Sequence, residues 1–259
     1  DIPITVNLSD SAKDSGLTVF GIQDMKAQVT VTGNRLVLGQ LSKKDIQVVA
    51  LQAPSVINTT GTYTLELTPK KNSLLSDYSF SSNISPNLVT VMVDRSKEVT
   101  FDVKENIKYS ADPDKFIEPV SLSQTSISIS GPESRILEIA KVVVEGSIAG
   151  TIKNTTTLSN IVPTLYDASG NKLSSANMKF SVDTIDATVN VLERKKVTVI
   201  PEIKGAPNGY NLNSKVSIHP SQIEIAGTED VLDSLEEVKL TAIDFSKINP
   251  KNNKFDLNI

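Results

Sequence analysis

Twelve residues recur three times along this chain without a gap, and that recurrence limits the fold more than any other feature of the sequence. Ile22 to Gly33 reads IQDMKAQVTVTG, Val120 to Gly131 reads VSLSQTSISISG, and Val216 to Gly227 reads VSIHPSQIEIAG. Each block has a β-branched residue first, aliphatic residues four and two positions before the end, and glycine last. The glycines lie 98 and 96 residues apart. A fixed period of this kind marks tandem copies of one structural unit, so the chain of 259 residues reads as an array and not as a single large core.

The likeness continues past each glycine. Leu38 and Leu41, Ile136 and Ile139, and Leu232 and Leu235 stand five and eight residues beyond Gly33, Gly131 and Gly227. An i, i+3 apolar pair places two side chains on one helical face, so the spacing predicts a short helix after each glycine. Ser130 and Glu133 have the spacing of a capping box with Pro132 in the first turn, and Thr228 followed by Glu229 and Asp230 supplies a cap and negative charge where the helix dipole is positive. A new strand is expected thirteen residues after each glycine, at Ile46, Val144 and Leu240.

Elsewhere the pattern is alternation with period two, as in Val29 to Val31, Val89 to Val93, Ile127 to Ile129, Thr188 to Val191 and Ile223 to Ile225. β-branched residues at every second position make half-buried strands. The expectation is a mostly β protein of tandem elongated repeats, each with one short helix after a strand–glycine turn. The stretches Val93 to Val99 and Val191 to Val197 carry one strand through a charged segment into the next copy, without Gly or Pro. They place the repeats at 1–95, 96–193 and 194–259, joined by short, semi-rigid connections. The third copy ends with an expected strand at Phe255 to Ile259 and lacks roughly 30 residues of the period.

Candidate chemistry is sparse. The single histidine, His219, precedes Pro220 in a turn, with no companion spaced to make it a base or a metal ligand. Asp167, Ser169 and Asn171 have the first spacings of a calcium loop, yet Lys172 stands where the loop needs glycine, so a hairpin turn is expected. Asp112-Pro113-Asp114 is turn chemistry and Glu229-Asp230 a helix start. Gly33, Gly131 and Gly227 precede helices but lack the further glycines or the Gly-Lys-Ser/Thr of phosphate-binding loops, so they are assigned a structural role in the backbone at the strand-to-helix turn. There is no cysteine, hence no disulfide, thiolate metal site or cysteine nucleophile. The net charge of −4 comes from interspersed signs without a basic stripe, which argues against nucleic acid as a partner. No catalytic residue, metal site or cofactor is expected, and the residues favour a binding or regulatory role over catalysis.

On these blocks the chain resembles the YbbR-domain family, whose repeats show the strand, glycine and short amphipathic helix found around Gly33, Gly131 and Gly227. The family often has proline seven residues before the glycine; only Pro220 matches, and the first two copies depart there. The resemblance implies a non-catalytic regulatory ectodomain: repeats on the extracytoplasmic side of the cell membrane, held by one N-terminal membrane helix, modulating a membrane-bound diadenylate cyclase through protein contact. No stretch here approaches the roughly 20 apolar residues of a membrane span, and the chain reads as a fragment of a longer protein. A structural or adhesive cell-surface stalk, binding the cell wall, is the alternative. The recurring helix favours regulation, because sandwich domains join their strands without one.

Overall fold

A computed structural model describes residues 1–75, 77–208, 216–249, 251 and 253–257. The chain begins with β1 (Ile2–Thr5), α1 (Asp10–Asp14), β2 (Leu17–Phe20), β3 (Lys26–Gly33), α2 (Arg35–Gln40), β4 (Ile46–Val49), α3 (Ala53–Val56), β5 (Gly61–Glu66), β6 (Thr68–Lys71) and β7 (Tyr78–Ser85). β8 (Leu88–Ala111) follows, then β9 (Lys115–Ile117), β10 (Ser121–Leu122), β11 (Ser126–Pro132), α4 (Glu133–Glu138), β12 (Lys141–Ile152), β13 (Thr156–Ile161), β14 (Thr164–Tyr166), β15 (Lys172–Leu173), β16 (Lys179–Phe180) and β17 (Ile185–Val189). The last stretch holds β18 (Val191–Ile200), β19 (Ile203–Lys204), β20 (Gln222–Gly227), α5 (Glu229–Ser234), β21 (Glu237–Lys239) and β22 (Ile243–Asp244). The chain is mostly β, and a six-residue helix follows each of the three recurrent glycines.

The contacts divide into two compact units, residues 1–104, 124–144 and 162–185 in one, and 105–123, 145–161 and 186–259 in the other. In the first unit, β1 pairs antiparallel with β3 and parallel with β4, with Ile2 opposite Ala27 and Ile4 opposite Val48. These strands form the centre of the sheet β6-β4-β1-β3-β7. Its inner residues Ile2, Ile4, Ala27 and Val48 join Leu65, Leu67, Val89, Val91 and Val93 in one apolar core. At roughly 1.5–3 kcal/mol for each fully buried aliphatic side chain, this burial is the main stabilising contribution. β8 closes that core from its first half and then pairs with β11, Ser96 to Asp102 lying against Pro132 to Ser126.

In the second unit the same motif returns. β18 pairs antiparallel with β20 and parallel with β21, Val197 lying opposite Ile223 and Val199 opposite Val238. β9 also pairs with β18, and β10, β17 and β13 make a separate three-stranded sheet. The charged stretch Val93 to Val99 lies within β8 and Val191 to Val197 within β18, each as continuous strand.

Three expectations are corrected. The strand after the glycine begins at Ile46 in the first copy, but at Lys141 and Glu237 in the others, three residues earlier than the spacing suggested. The difference is a 3-10 turn, Lys43–Asp45, present only in the first copy and held by Ser42, whose amide and hydroxyl donate to Asp45 Oδ2 at 2.8 and 2.7 Å. Thr188 to Val191 is broken, since Asn190 separates β17 from β18. In the expected strand Phe255 to Ile259, residues 255–257 are not strand, and 258 and 259 lie outside the described residues.

Candidate functional site

The recurrent strand–glycine–helix block is the feature around which the chain's named residues gather. Gly33 and Gly227 end their strands and Gly131 is the last residue but one of β11, and none has the left-handed backbone that would demand glycine. The expectation of a special turn conformation therefore gives way to a different cause, close approach of a neighbouring strand. A Cβ on Gly33 would lie 2.8 Å from the Asp77 carbonyl oxygen and 2.9 Å from Tyr78 Cβ. On Gly131 it would meet the Asn177 carbonyl oxygen at 3.0 Å and Met178 Cα at 3.3 Å. In both copies the crowding atoms lie where the chain enters a neighbouring strand, at Asp77 and Tyr78 leading into β7, which pairs with β3, and at Asn177 and Met178 just before β16, which pairs with β11. Around Gly227 the nearest atoms are Leu232 Cδ2 and Cγ, at 3.3 and 3.4 Å.

The apolar pair after each glycine is also unequal. Ile136 and Ile139 are both buried, Leu232 is buried with Leu235 half-covered, and Leu38 and Leu41 are half-covered. In each helix the first member sits at the fourth residue and the second is the C-cap, so one face of a short helix is pinned on the sheet.

The helix starts differ from the expected caps. The N-cap of α4 is Pro132, and Ser130 lies within β11. The start of α4 is instead held by Asp94 of β8, whose Oδ2 accepts from the Ser134 amide at 2.9 Å and the Ser134 hydroxyl at 2.6 Å. Asp94 Oδ1 accepts from the Arg95 amide at 2.7 Å. Asp94 is the buried charged residue among those described, 4% exposed. Burial pushes its carboxyl up, but the bonds from the Ser134 hydroxyl and amide and from the Arg95 amide outweigh that, and the pKa falls below its ordinary value. Glu133 adds ion pairs to Lys97 at 3.1 Å and Arg95 at 3.9 Å. The sequence hid Asp94 because its partner is 40 residues away; a lone Asp in an apolar strand run, Val91-Met-Val-Asp94, was the available signal. Thr228 does occupy the N-cap of α5, without a side-chain hydrogen bond. Asn34, overlooked, caps α2 by accepting from the Leu36 amide at 2.9 Å.

The other candidates fall where turn chemistry puts them. Asp167, Ser169 and Asn171 form the hairpin between β14 and β15: Asp167 Oδ1 accepts from the Ser169 and Asn171 amides at 2.9 and 2.8 Å, and Oδ2 from Asn171 Nδ2 at 3.0 Å. The Asn171 side chain is the foremost reason that the Asp167 carboxyl lies low. Asp112 Oδ1 accepts from the Asp114 amide at 3.0 Å in the turn before β9. Asp45 and Asp244 are held low chiefly by the side-chain bonds from Ser42 and Ser246. Asp45, Asp94, Asp167 and Asp244 all move away from neutrality, whereas general acid–base work calls for a carboxyl raised toward it. They act as acceptors for backbone and hydroxyl donors. His219 is an exposed loop residue on a groove lined also by Val199, Ile223 and Phe255. Among the described residues no group of three His, Cys, Asp or Glu is placed to hold a metal ion, and no helix is long and apolar enough to cross a membrane.

The family model described as YbbR-like protein matches residues 196–259. The chain carries a YbbR-like domain. That match covers most of the third copy, residues 196–259. The chain is 28% identical over 196 residues to the CdaA regulatory protein CdaR of Bacillus subtilis (strain 168), an alignment covering 73% of this chain and 38% of that protein. The chain thus spans well under half the length of the curated relative it matches. A crystal structure of a YbbR-like protein from Streptococcus pneumoniae TIGR4 superposes with a TM-score of 0.44 at 19% identity, over 74% of this chain and 92% of that one.

Proposed function

We propose that this chain is part of a non-catalytic regulatory ectodomain that modulates a membrane-bound diadenylate cyclase, and so cyclic di-AMP synthesis, through protein–protein contact. The observation that carries the reading is the 28% identity over 196 residues to a protein named as the regulator of CdaA. The residues support the non-catalytic part, since Asp45, Asp94, Asp167 and Asp244, whose carboxyls are held low, are each engaged in holding a turn or a helix start. In this reading the repeats lie on the extracytoplasmic side, tethered by a membrane helix outside residues 1–259, and the repeat boundaries are 1–95, 96–193 and 194–259. Regulation requires that the ectodomain prefer one state of the cyclase, because a partner that binds all states equally shifts nothing. A coupling of roughly 1–3 kcal/mol corresponds to a change of about 5- to 150-fold in affinity for that state.

The test is to co-express the cyclase with the full-length protein and with a version lacking the repeats, then measure cyclic di-AMP. The expected result is a nucleotide level that changes only when the repeats are present. Equal levels with both versions would overturn the proposal and leave the repeats a structural or wall-binding role.

A further inference from the structure

Basic residues are dispersed through this sequence, but the fold of the first unit gathers four lysines and an arginine at one end of a sheet. In β6-β4-β1-β3-β7, β6 pairs antiparallel with β4, Lys71 opposite Ile46 and Lys70 opposite Gln47. Lys43 and Lys44 occupy the 3-10 turn directly before β4. The segment after β6 is bonded to that turn: the Asn72 amide donates to the Asp45 carbonyl oxygen at 2.7 Å, and Asn72 Nδ2 to the Lys44 carbonyl oxygen at 3.1 Å. Tyr78, at the start of β7, donates its hydroxyl to the same Asp45 carbonyl at 3.2 Å and lies opposite Gly33, two residues before Arg35 opens α2. Arg35, Lys43, Lys44, Lys70 and Lys71 are all exposed.

Charge at this end runs against that of the chain. Residues 34–45 and 68–78 hold those five cations and two carboxylates, Asp45 and Asp77, a net of +3 in a chain whose net charge is −4. Of the two acids, Asp45 is already engaged by the Ser42 and Ser73 side chains. The same end carries apolar surface. Among the described residues the two most exposed large apolar side chains are Leu74, 103% exposed between β6 and β7, and Leu36, 77% exposed in the first turn of α2. One exposed leucine is ordinary. Two of them, accompanied by five cations, have the composition of a surface that enters a lipid headgroup layer, where leucines reach the acyl boundary and long basic side chains meet the phosphates.

We propose that this end of the first unit docks on the surface of an anionic phospholipid bilayer, with Leu36 and Leu74 entering the headgroup layer and Arg35, Lys43, Lys44, Lys70 and Lys71 facing the lipid phosphates. Its placement rests on the tethered ectodomain proposed above. β1 runs parallel to β4 with Ile4 opposite Val48, so Asp1 stands level with the 3-10 turn, and a tether joined ahead of Asp1 brings this end of the sheet to the membrane. Weak docking then suffices, because a tether keeps the patch at high local concentration beside the lipid.

The experiment sediments residues 1–259, without a cyclase, with vesicles of phosphatidylcholine alone or of phosphatidylcholine and phosphatidylglycerol in equal parts. Binding to the anionic vesicles is expected to exceed that to the neutral ones about tenfold or more, and to weaken as salt is added. Lys43→Glu with Lys44→Glu should weaken it by about tenfold or more; Lys108→Glu with Lys153→Glu, the same charge change at exposed residues of the second unit, should cost less than about twofold. Insertion has its own readout. The chain has no tryptophan, so Leu74→Trp introduces a single reporter, whose emission should shift to the blue on anionic vesicles, whereas that of Leu137→Trp on α4, at a residue 66% exposed, should not. Equal binding to the two kinds of vesicle, equal losses from the two charge reversals, or no blue shift from Leu74→Trp would each overturn the proposal. Soluble polyphosphate binding as tightly as the anionic vesicles would assign the cations to a soluble polyanion, and would also overturn it. With no cyclase present, failure here leaves the regulatory reading standing, and an unchanged cyclic di-AMP level would leave the vesicle result to be judged alone.

Discussion

Removing the Asp94 carboxylate should destabilise the first unit more than the loss of any exposed charge in the chain. Asp94 accepts three hydrogen bonds, from the Ser134 hydroxyl at 2.6 Å, the Ser134 amide at 2.9 Å and the Arg95 amide at 2.7 Å. A hydrogen bond to a charged group contributes roughly 1.5–3 kcal/mol, the three share one carboxylate and so do not add, and a lost N-cap alone costs about 1 kcal/mol. Asp94→Ala is therefore expected to cost about 2–4 kcal/mol, and Asp94→Asn, which keeps one acceptor oxygen, about 1–2 kcal/mol. Urea denaturation followed by circular dichroism reads both. Ser134→Ala in a double-mutant cycle with Asp94→Ala should return a coupling of about 1–2 kcal/mol. Because the carboxyl's pKa is lower folded than unfolded, the contribution is present above the unfolded value of about 3.8 and is lost as the pH falls through the lower folded value. The gap between wild type and Asp94→Asn should accordingly narrow below pH 3.8 and stay constant above about pH 5. A cost under about 0.5 kcal/mol, or additive single mutants, would show that Asp94 does not hold the start of α4.

Other expectations follow from the same geometry. Gly131→Val should cost about 2 kcal/mol or more, through collision with the Asn177–Met178 backbone, while Lys172→Ala on the surface should stay within about 0.5 kcal/mol; thermal melts compare them. Ile136→Ala, at a residue 1% exposed, should cost about 2–4 kcal/mol, whereas Leu38→Ala at the matching place in the first copy should cost about 1 kcal/mol or less, as denaturant midpoints would show. Calorimetric titration with zinc or calcium should give no binding at micromolar concentration, and a saturable micromolar site would contradict the reading of Asp167 as a hairpin residue.

What could be read in the sequence was whatever repeats locally. Alternation located β3, β8, β11 and β20, and the i, i+3 pairs located α2, α4 and α5, because both patterns are set by which faces must be buried. The helices α1 and α3 passed unseen; α1 is set by Ser9, which accepts from the Ala12 amide at 3.3 Å, a cap inside a polar run that reads equally as loop. Gly33 and Gly131 stood out in the sequence and the reason for them did not, since each close approach involves a residue 44 or more positions away that only the fold brings near. The same distance hid Asp94. Ser130, by contrast, looked like a cap from spacing alone and is strand, because pairing of β11 with β8 continues through Pro132 and leaves the serine no helix to cap.

β8 also sets an order on how the protein can come into being. A chain emerging from the ribosome lacks Val89, Val91 and Val93 until β8 is made, so the first copy cannot seal its core before then. Once that half has docked, the following residues of the same strand, from Ser96 to Asp102, stand as a preformed edge for β11, whose sequence is made about thirty residues later. The second copy is then assembled on a template laid down by the first, and a pause in translation after Asp102 has left the ribosome and before β11 does would favour correct pairing by giving that template time to set.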